Sequence, residues 1–177
     1  MTCIATRSGR VIDYLNPDPA QFCLDDIAAG LARAPRFCGQ TTKDWSVLQH
    51  SLLVAHLAPA EHRLHALMHD APEAFLCDIP SPLKQAMRAV ASTAGYSDYD
   101  RIELRVWEAI CDRWVMDVDL PDAVHEADLQ AMAIEAQALQ PDAWKTPIWD
   151  FAREITVPEG GFHYMRWMPD DRPHCVA

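Results

Sequence analysis

Prolines divide this chain into lengths that suit helices of moderate size. Pro59, Pro80, Pro82, Pro121 and Pro141 fall at the ends of apolar-periodic runs. A proline lacks an N–H and its ring clashes with the preceding turn, so it ends a helix more readily than it continues one. The runs they bound, at about 46–58, 60–77, 82–91, 97–115 and 121–140, repeat apolar residues at helical spacing. Before them, residues 9–15 (GRVIDYL) read as a short strand. PDPAQFCLDD then reads as a turn into a helix over IAAGLARA, with Asp25 or Asp26 at its N-cap. RFCGQTTKDW is a loop, and the tryptophan-rich tail after Pro141 carries expected short strands near EITV and HYMRW. The expected class is all-α with minor β near the termini.

A length of 177 residues fits a single domain spanning 1–177, and half of the residues are hydrophobic, enough for a core without staples. The net charge of −11 argues against nucleic acid as a partner, because binding it by counterion release needs a basic footprint. A small anionic substrate stays compatible, since a bound cation and a few arginines can reverse the field inside a cleft. Six scattered cysteines without a CxxC pair point to reduced thiols rather than a zinc ribbon or disulfide framework. The N-terminal segment has no apolar h-region, and no apolar run approaches the roughly 18 residues that span a bilayer. A soluble, cytoplasmic protein with no membrane partner is the expectation.

Within the helical runs, ionisable residues stand where apolar ones are expected. On a wheel of 64–77, Leu64, Leu67, Met68, Ala71 and Phe75 form one stripe. His69, Asp70 and Glu73 gather on the opposite side, flanked by Ala66, Leu76 and Cys77, with Pro72 able to break the helix just past the pair. His50 shares a face with Leu53, Val54 and Leu57, whereas His56 lies on a more polar edge with Gln49. Asp128 sits amid Val124, Ala127, Ala131 and Met132, so it points inward while His125 and Glu126 point away. Buried charges are costly unless paired or bound to metal. His50, His69, Asp70 and Asp128 make a mixed N/O set suited to one divalent cation with positions left open for water or substrate. Manganese, cobalt, zinc, magnesium and iron all suit it. An alternative zinc pair, His65 with His69 at i,i+4, lacks an HExxH pattern to support it.

The order H…HD…D, with HDAPEAFLCDIPSPLK containing the pair, resembles the HD-domain metal-dependent phosphohydrolases. It looks most like the branch of bacterial 5′-deoxynucleotidases and small phage-type deoxynucleoside triphosphate phosphohydrolases. The resemblance covers about 31–140 and is strongest at RFCGQTTKDWSVLQHS, DIPSPLK and HEADLQAMAIEA. It implies a helical bundle, the four metal ligands named above, and metal-activated water attacking a deoxynucleoside 5′-phosphate. The products would be deoxynucleoside and phosphate, or deoxynucleoside and triphosphate. It also implies a homo-oligomer. Residue by residue, it carries a catalytic acid/base role to Glu73, beside Asp70, and a phosphate-gripping role to Arg36. Sugar 3′-hydroxyl contact passes to Asp78.

Each role has a plainer rival. Glu73 could instead orient a ligand imidazole, Asp78 could cap the helix near Pro82, and Lys84 is either a phosphate contact or a solvated helix-face lysine. Phe37 is either a pocket wall or a loop anchor, and Gln40 and Trp45 are further pocket candidates. Trp144, Trp149 and Trp167 are core or subunit contacts. Relatives often have glutamate directly before the first histidine, where this chain has Gln49. Rival functions are a phosphohydrolase of cyclic nucleotides or alarmones, and a non-catalytic nucleotide-binding HD protein.

Overall fold

The computed structural model describes residues 1–92, 96–158 and 160–167. The chain opens with a hairpin of β1 (Cys3–Ala5) and β2 (Val11–Asp13), paired antiparallel with Ile4 opposite Ile12. Gly9, at φ 85°, supplies the left-handed turn residue. The expected strand at 9–15 is thus present but shorter, and its partner β1 has too few residues to announce itself by alternation. A 3-10 turn over Pro19–Gln21 leads into α1 (Leu24–Leu31), whose N-cap is Cys23 rather than either aspartate. Asp26 lies in the first turn and is buried. Its carboxylate reaches back to the hairpin turn, accepting from Thr6 Oγ1 (2.7 Å), Ser8 Oγ (2.6 Å) and the Ser8 amide (2.9 Å).

The next helices are α2 (Val47–Leu57), α3 (Arg63–Met68), α4 (Glu73–Leu76), α5 (Ser81–Val90), α6 (Asp98–Trp114) and α7 (Asp122–Leu139). Ser46 with Gln49, and Ser97 with Asp100, close reciprocal capping boxes that start α2 and α6. The expected continuous helix over 60–77 is broken into a 3-10 turn (Ala60–His62), α3 and α4. Pro72 cannot donate to the Met68 carbonyl, and the Ala71 amide takes that carbonyl instead at 2.8 Å. The stripe drawn for this segment is only partly the buried one. Leu64 and Leu67 are exposed, while Ala66, Met68, Ala71 and Phe75 are buried.

The tail forms α8 (Asp150–Arg153) and α9 (Gly160–Trp167). HYMRW therefore lies inside a helix, and EITV forms no strand. The class is all-α: among the described residues the strands are those of the N-terminal hairpin, and a single bridge pairs Pro35 with Ser46.

Two apolar clusters share α2. Val47 joins Ile12, Phe22, Leu31, Phe75 and Val106, linking the hairpin, α1, α4 and α6. Leu53 and Val54 join Ala66, Val124, Ala131, Ile134 and Met165, linking α2, α3, α7 and α9. Full burial of each large aliphatic or aromatic side chain contributes about 1.5–3 kcal/mol. The helix carrying His50 is thus clamped from both sides. No helix among the described residues is long and apolar enough to cross a membrane.

Candidate metal centre

Packing of α2 against α3 and α7 brings together His50, from mid-α2, and His69, at the C-cap of α3. Asp128 joins them from the second turn of α7, so three parts of the chain supply the cluster. His50 Nε2, His69 Nε2 and a carboxylate oxygen of Asp128 lie within 4.8 Å of one another and form a group able to hold a metal ion. Asp128 Oδ1 stands 3.0 Å from His50 Nε2 and 3.9 Å from His69 Nε2. Asp70, in the turn after α3, places Oδ2 3.3 Å from His69 Nε2 and 3.6 Å from His50 Nε2. Ligands at about 2.0–2.2 Å from a common divalent ion stand roughly 3–4 Å apart, the range seen in this cluster.

The ring nitrogens decide the donor chemistry. His69 Nδ1 donates to the Ala66 carbonyl at 2.8 Å, which leaves the Nε2 lone pair facing the cluster. His50 Nδ1 lies 2.9 Å from Glu135 Oε1, so its Nε2 is likewise turned inward. Both Nε2 atoms are buried without a hydrogen-bond partner, and the close approach of Asp128 to His50 lacks hydrogen-bond geometry. Two orphaned acceptors aimed at carboxylates fit a cation between them. His65 Nε2 is also buried and unpartnered, but His65 is not part of this group.

Charge tells the same story. Burial and Arg36 disfavour a cationic His50, yet Glu135 and Asp128 prevail and lift it to about 10. Burial opposes ionisation of Asp70 and Asp128, but the imidazoles hold both below the usual carboxylate range. The pocket favours positive charge, whether proton or metal, so a metal binding there would release protons. Exposure is graded across it: the side chain of His50 is 0 % exposed, His69 5 %, Asp70 19 % and Asp128 35 %.

Beside His69 and Asp70 lies a cleft of about 290 Å³ lined also by Glu73, Arg88, Glu103 and Trp107. Glu73, the first residue of α4, is buried, and its Oε2 has no partner. Burial, then repulsion from Asp70 and Asp78, pushes its carboxyl up to about 10. Lys84 is bound by Glu103 at 2.7 Å and lies 4.0 Å from Glu73, so it is not a solvated helix-face lysine. Asp78 caps nothing: α5 has Pro80 at its N-cap without a side-chain cap, and the Asp78 carboxylate meets Arg36 at 3.5 Å.

Arg36 lies among three carboxylates, with Glu135 at 3.4 Å, Asp78 at 3.5 Å and Asp70 at 4.0 Å. Phe37 and Cys38 behind it are held at φ 53°, a left-handed conformation costly for residues with a Cβ. Phe37 anchors this loop by packing edge-on against Trp149, which also neighbours Trp144 and Phe151. Trp149 is half-buried and holds the loop from outside the two apolar clusters. Gln40 is exposed, and its carbonyl accepts from Gln140.

Glu135 was not singled out in the sequence. It is 0 % exposed and gathers Arg36 Nε, Trp45 Nε1 and His50 Nδ1. Trp45 is thus a buried support, not a pocket wall. The available signal was spacing: Glu135 stands two turns after Asp128, inside the apolar run AMAIEA. Gln49, directly before the first histidine, turns back to accept from the Ser46 amide at 2.9 Å. The imidazole's carboxylate partner comes from α7 instead.

No family model matches the chain. Over 139 residues it is 34% identical to the uncharacterized protein YfdR of Escherichia coli K12, an alignment covering 78% of this chain and 73% of that protein. Over 145 residues it is 37% identical to an uncharacterized protein of Rhodobacter capsulatus, covering 75% of this chain and 70% of its relative.

Proposed function

The chain belongs to the family of Escherichia coli YfdR and its Rhodobacter capsulatus relative, and for this member we propose a metal-dependent hydrolase of deoxynucleoside 5′-phosphates. The observation that carries the reading is the convergence of two unpartnered imidazole Nε2 atoms on Asp128 beside an open cleft. The order H…HD…D and the DIPSPLK continuation, which resemble the HD-domain nucleotidases, direct it to phosphate esters.

His50, His69 and Asp128 would hold the ion, with Asp70 as a fourth ligand. A divalent ion there would polarise a phosphoryl oxygen and acidify water near neutral pH. Hydrolysis adds the water oxygen to phosphorus, breaks the bond from phosphorus to the 5′-oxygen, and leaves a proton on that oxygen. Glu73 is the group placed to carry the proton, through the buried, unpartnered Oε2 at the cleft wall. Arg36, oriented by Glu135, presents Nη1 towards Asp70 and Asp78, where an arriving phosphate competes for it. Asp78 accepts the sugar 3′-hydroxyl. Lys84 supports Glu73 and adds positive charge at the cleft.

Monophosphate is favoured over triphosphate. Arg36, Lys84 and Arg88 are each engaged by carboxylates, so a triphosphate tail would have to displace them. The test is release of orthophosphate or tripolyphosphate from dNMPs, dNTPs and matching ribonucleotides with manganese or cobalt. Orthophosphate from dNMPs, abolished in Asp70→Ala and Glu73→Ala, is expected. Tripolyphosphate from dNTPs would move the protein to the triphosphohydrolase branch. Absence of turnover in protein that binds metal and nucleotide would leave a non-catalytic binding role.

A further inference from the structure

Resting on the metal-centre reading, we propose that Glu135 is a positioning residue: it locks His50 in the Nδ1–H tautomer and ties that ligand to the Arg36 loop. Its carboxylate, with no exposure, receives Trp45 Nε1 at 2.7 Å, His50 Nδ1 at 2.9 Å and Arg36 Nε at 3.4 Å. An ionised carboxylate is an acceptor only, so all three partners must present N–H groups to it. Trp45 Nε1 and Arg36 Nε are donors in every state, which leaves His50 as the partner whose form Glu135 selects. With the proton on Nδ1, the Nε2 lone pair faces Asp128 and His69.

The two imidazoles are supported unequally. His69 donates to the neutral carbonyl of Ala66, whereas His50 donates to a buried anion. A carboxylate partner raises the electron density of the ring and strengthens it as a ligand. Glu135 also spans distant sequence, joining α7 to the residues preceding α2 and to α2 itself. The phosphate-facing arginine and the first metal ligand therefore share one anchor.

The test uses the full chain with Mn²⁺ alone as the titrant and Zn²⁺ loading for NMR. Glu135→Gln keeps the shape but aims an amide N–H₂ at one of the three donors. Its Mn²⁺ affinity by calorimetry should fall about 10- to 100-fold. Trp45→Phe removes a different donor and leaves His50 its partner, and should change affinity less than about threefold. In zinc-loaded wild-type protein, ¹⁵N-resolved spectra should show the His50 Nδ1 proton protected from exchange. That readout needs no variant, so a misfolded Glu135→Gln does not remove the test. Unaltered affinity in folded Glu135→Gln, or zinc ligation through His50 Nδ1, would overturn the positioning role while leaving the metal site standing. Failure of wild-type protein to bind either metal would overturn both.

Discussion

A carboxylate's role in this protein follows from which donors surround it. Asp26 and Glu73 are both buried first-turn residues of helices, yet they are driven in opposite directions. For Asp26, burial favours the neutral acid, but hydrogen bonds from Ser8, Thr6 and Cys23 prevail and hold it at about 2, against an ordinary 3.8. Its stabilisation is therefore present above the ordinary value and lost as pH falls through about 2. Asp26→Asn should cost on the order of 1–2 kcal/mol near neutral pH. In denaturation series, the gap to wild type should shrink steadily from about pH 5 downward. A gap independent of pH would mean that the charged form is not the one the hairpin turn binds. Glu73 has no such donors, and burial beside Asp70 and Asp78 keeps it neutral.

The helices meet the site through close approaches and through their ends. Gly30 of α1 passes so near α4 that a Cβ would stand 2.6 Å from the Ala74 carbonyl oxygen and 2.8 Å from the Ala74 Cβ. Relief requires moving α4, which begins at Glu73 and leads to Asp78. Gly30→Ala should destabilise the protein by about 1–3 kcal/mol and, on the proposed function, reduce phosphate release while Mn²⁺ still binds. Wild-type turnover would show that α4 need not hold this position. At the far end of α6, Val115 takes the left-handed C-cap conformation (φ 55°, ψ 47°) at 94 % exposure. A β-branched residue is strained there, and glycine is the usual solution. Val115→Gly should raise stability by about 0.5–1 kcal/mol in thermal melts, with no loss of packing to offset the gain. The ends of α2 and α7 and the start of α5 were legible in the prolines, whereas the N-cap expected at Asp25 or Asp26 lies at Cys23. The tail was misread, since HYMRW is helical, and at 69–72 the helix was broken by one missing amide that a wheel cannot convey.

For the whole molecule, an ion held by His50, His69 and Asp128 would couple ligand to fold, because α2, α3 and α7 meet at this cluster. Mn²⁺ at a hundred times its dissociation constant should add about 2.7 kcal/mol to unfolding, read as a rise in Tm that a chelator reverses. Asp128→Asn, whose side chain is 35 % exposed and so tolerates substitution, should abolish that rise. An equal rise in the variant would place the ion elsewhere. The ligand candidates were visible in the sequence because histidine and aspartate inside apolar helical runs are unstable there without a partner. By the same reasoning, the chain alone determined an all-α class and the inward direction of His50 and Asp128. It did not determine that Arg36 lies among three carboxylates, that Trp45 lies beneath the site, or that Glu135 holds His50. The three contacts on Glu135 join residues 85 to 99 positions apart, and Arg36 reaches Asp70 and Asp78 from a separate loop. Periodicity reports which face of a helix is buried, whereas the partner met on that face depends on how separate helices pack. Only the tertiary structure decided it.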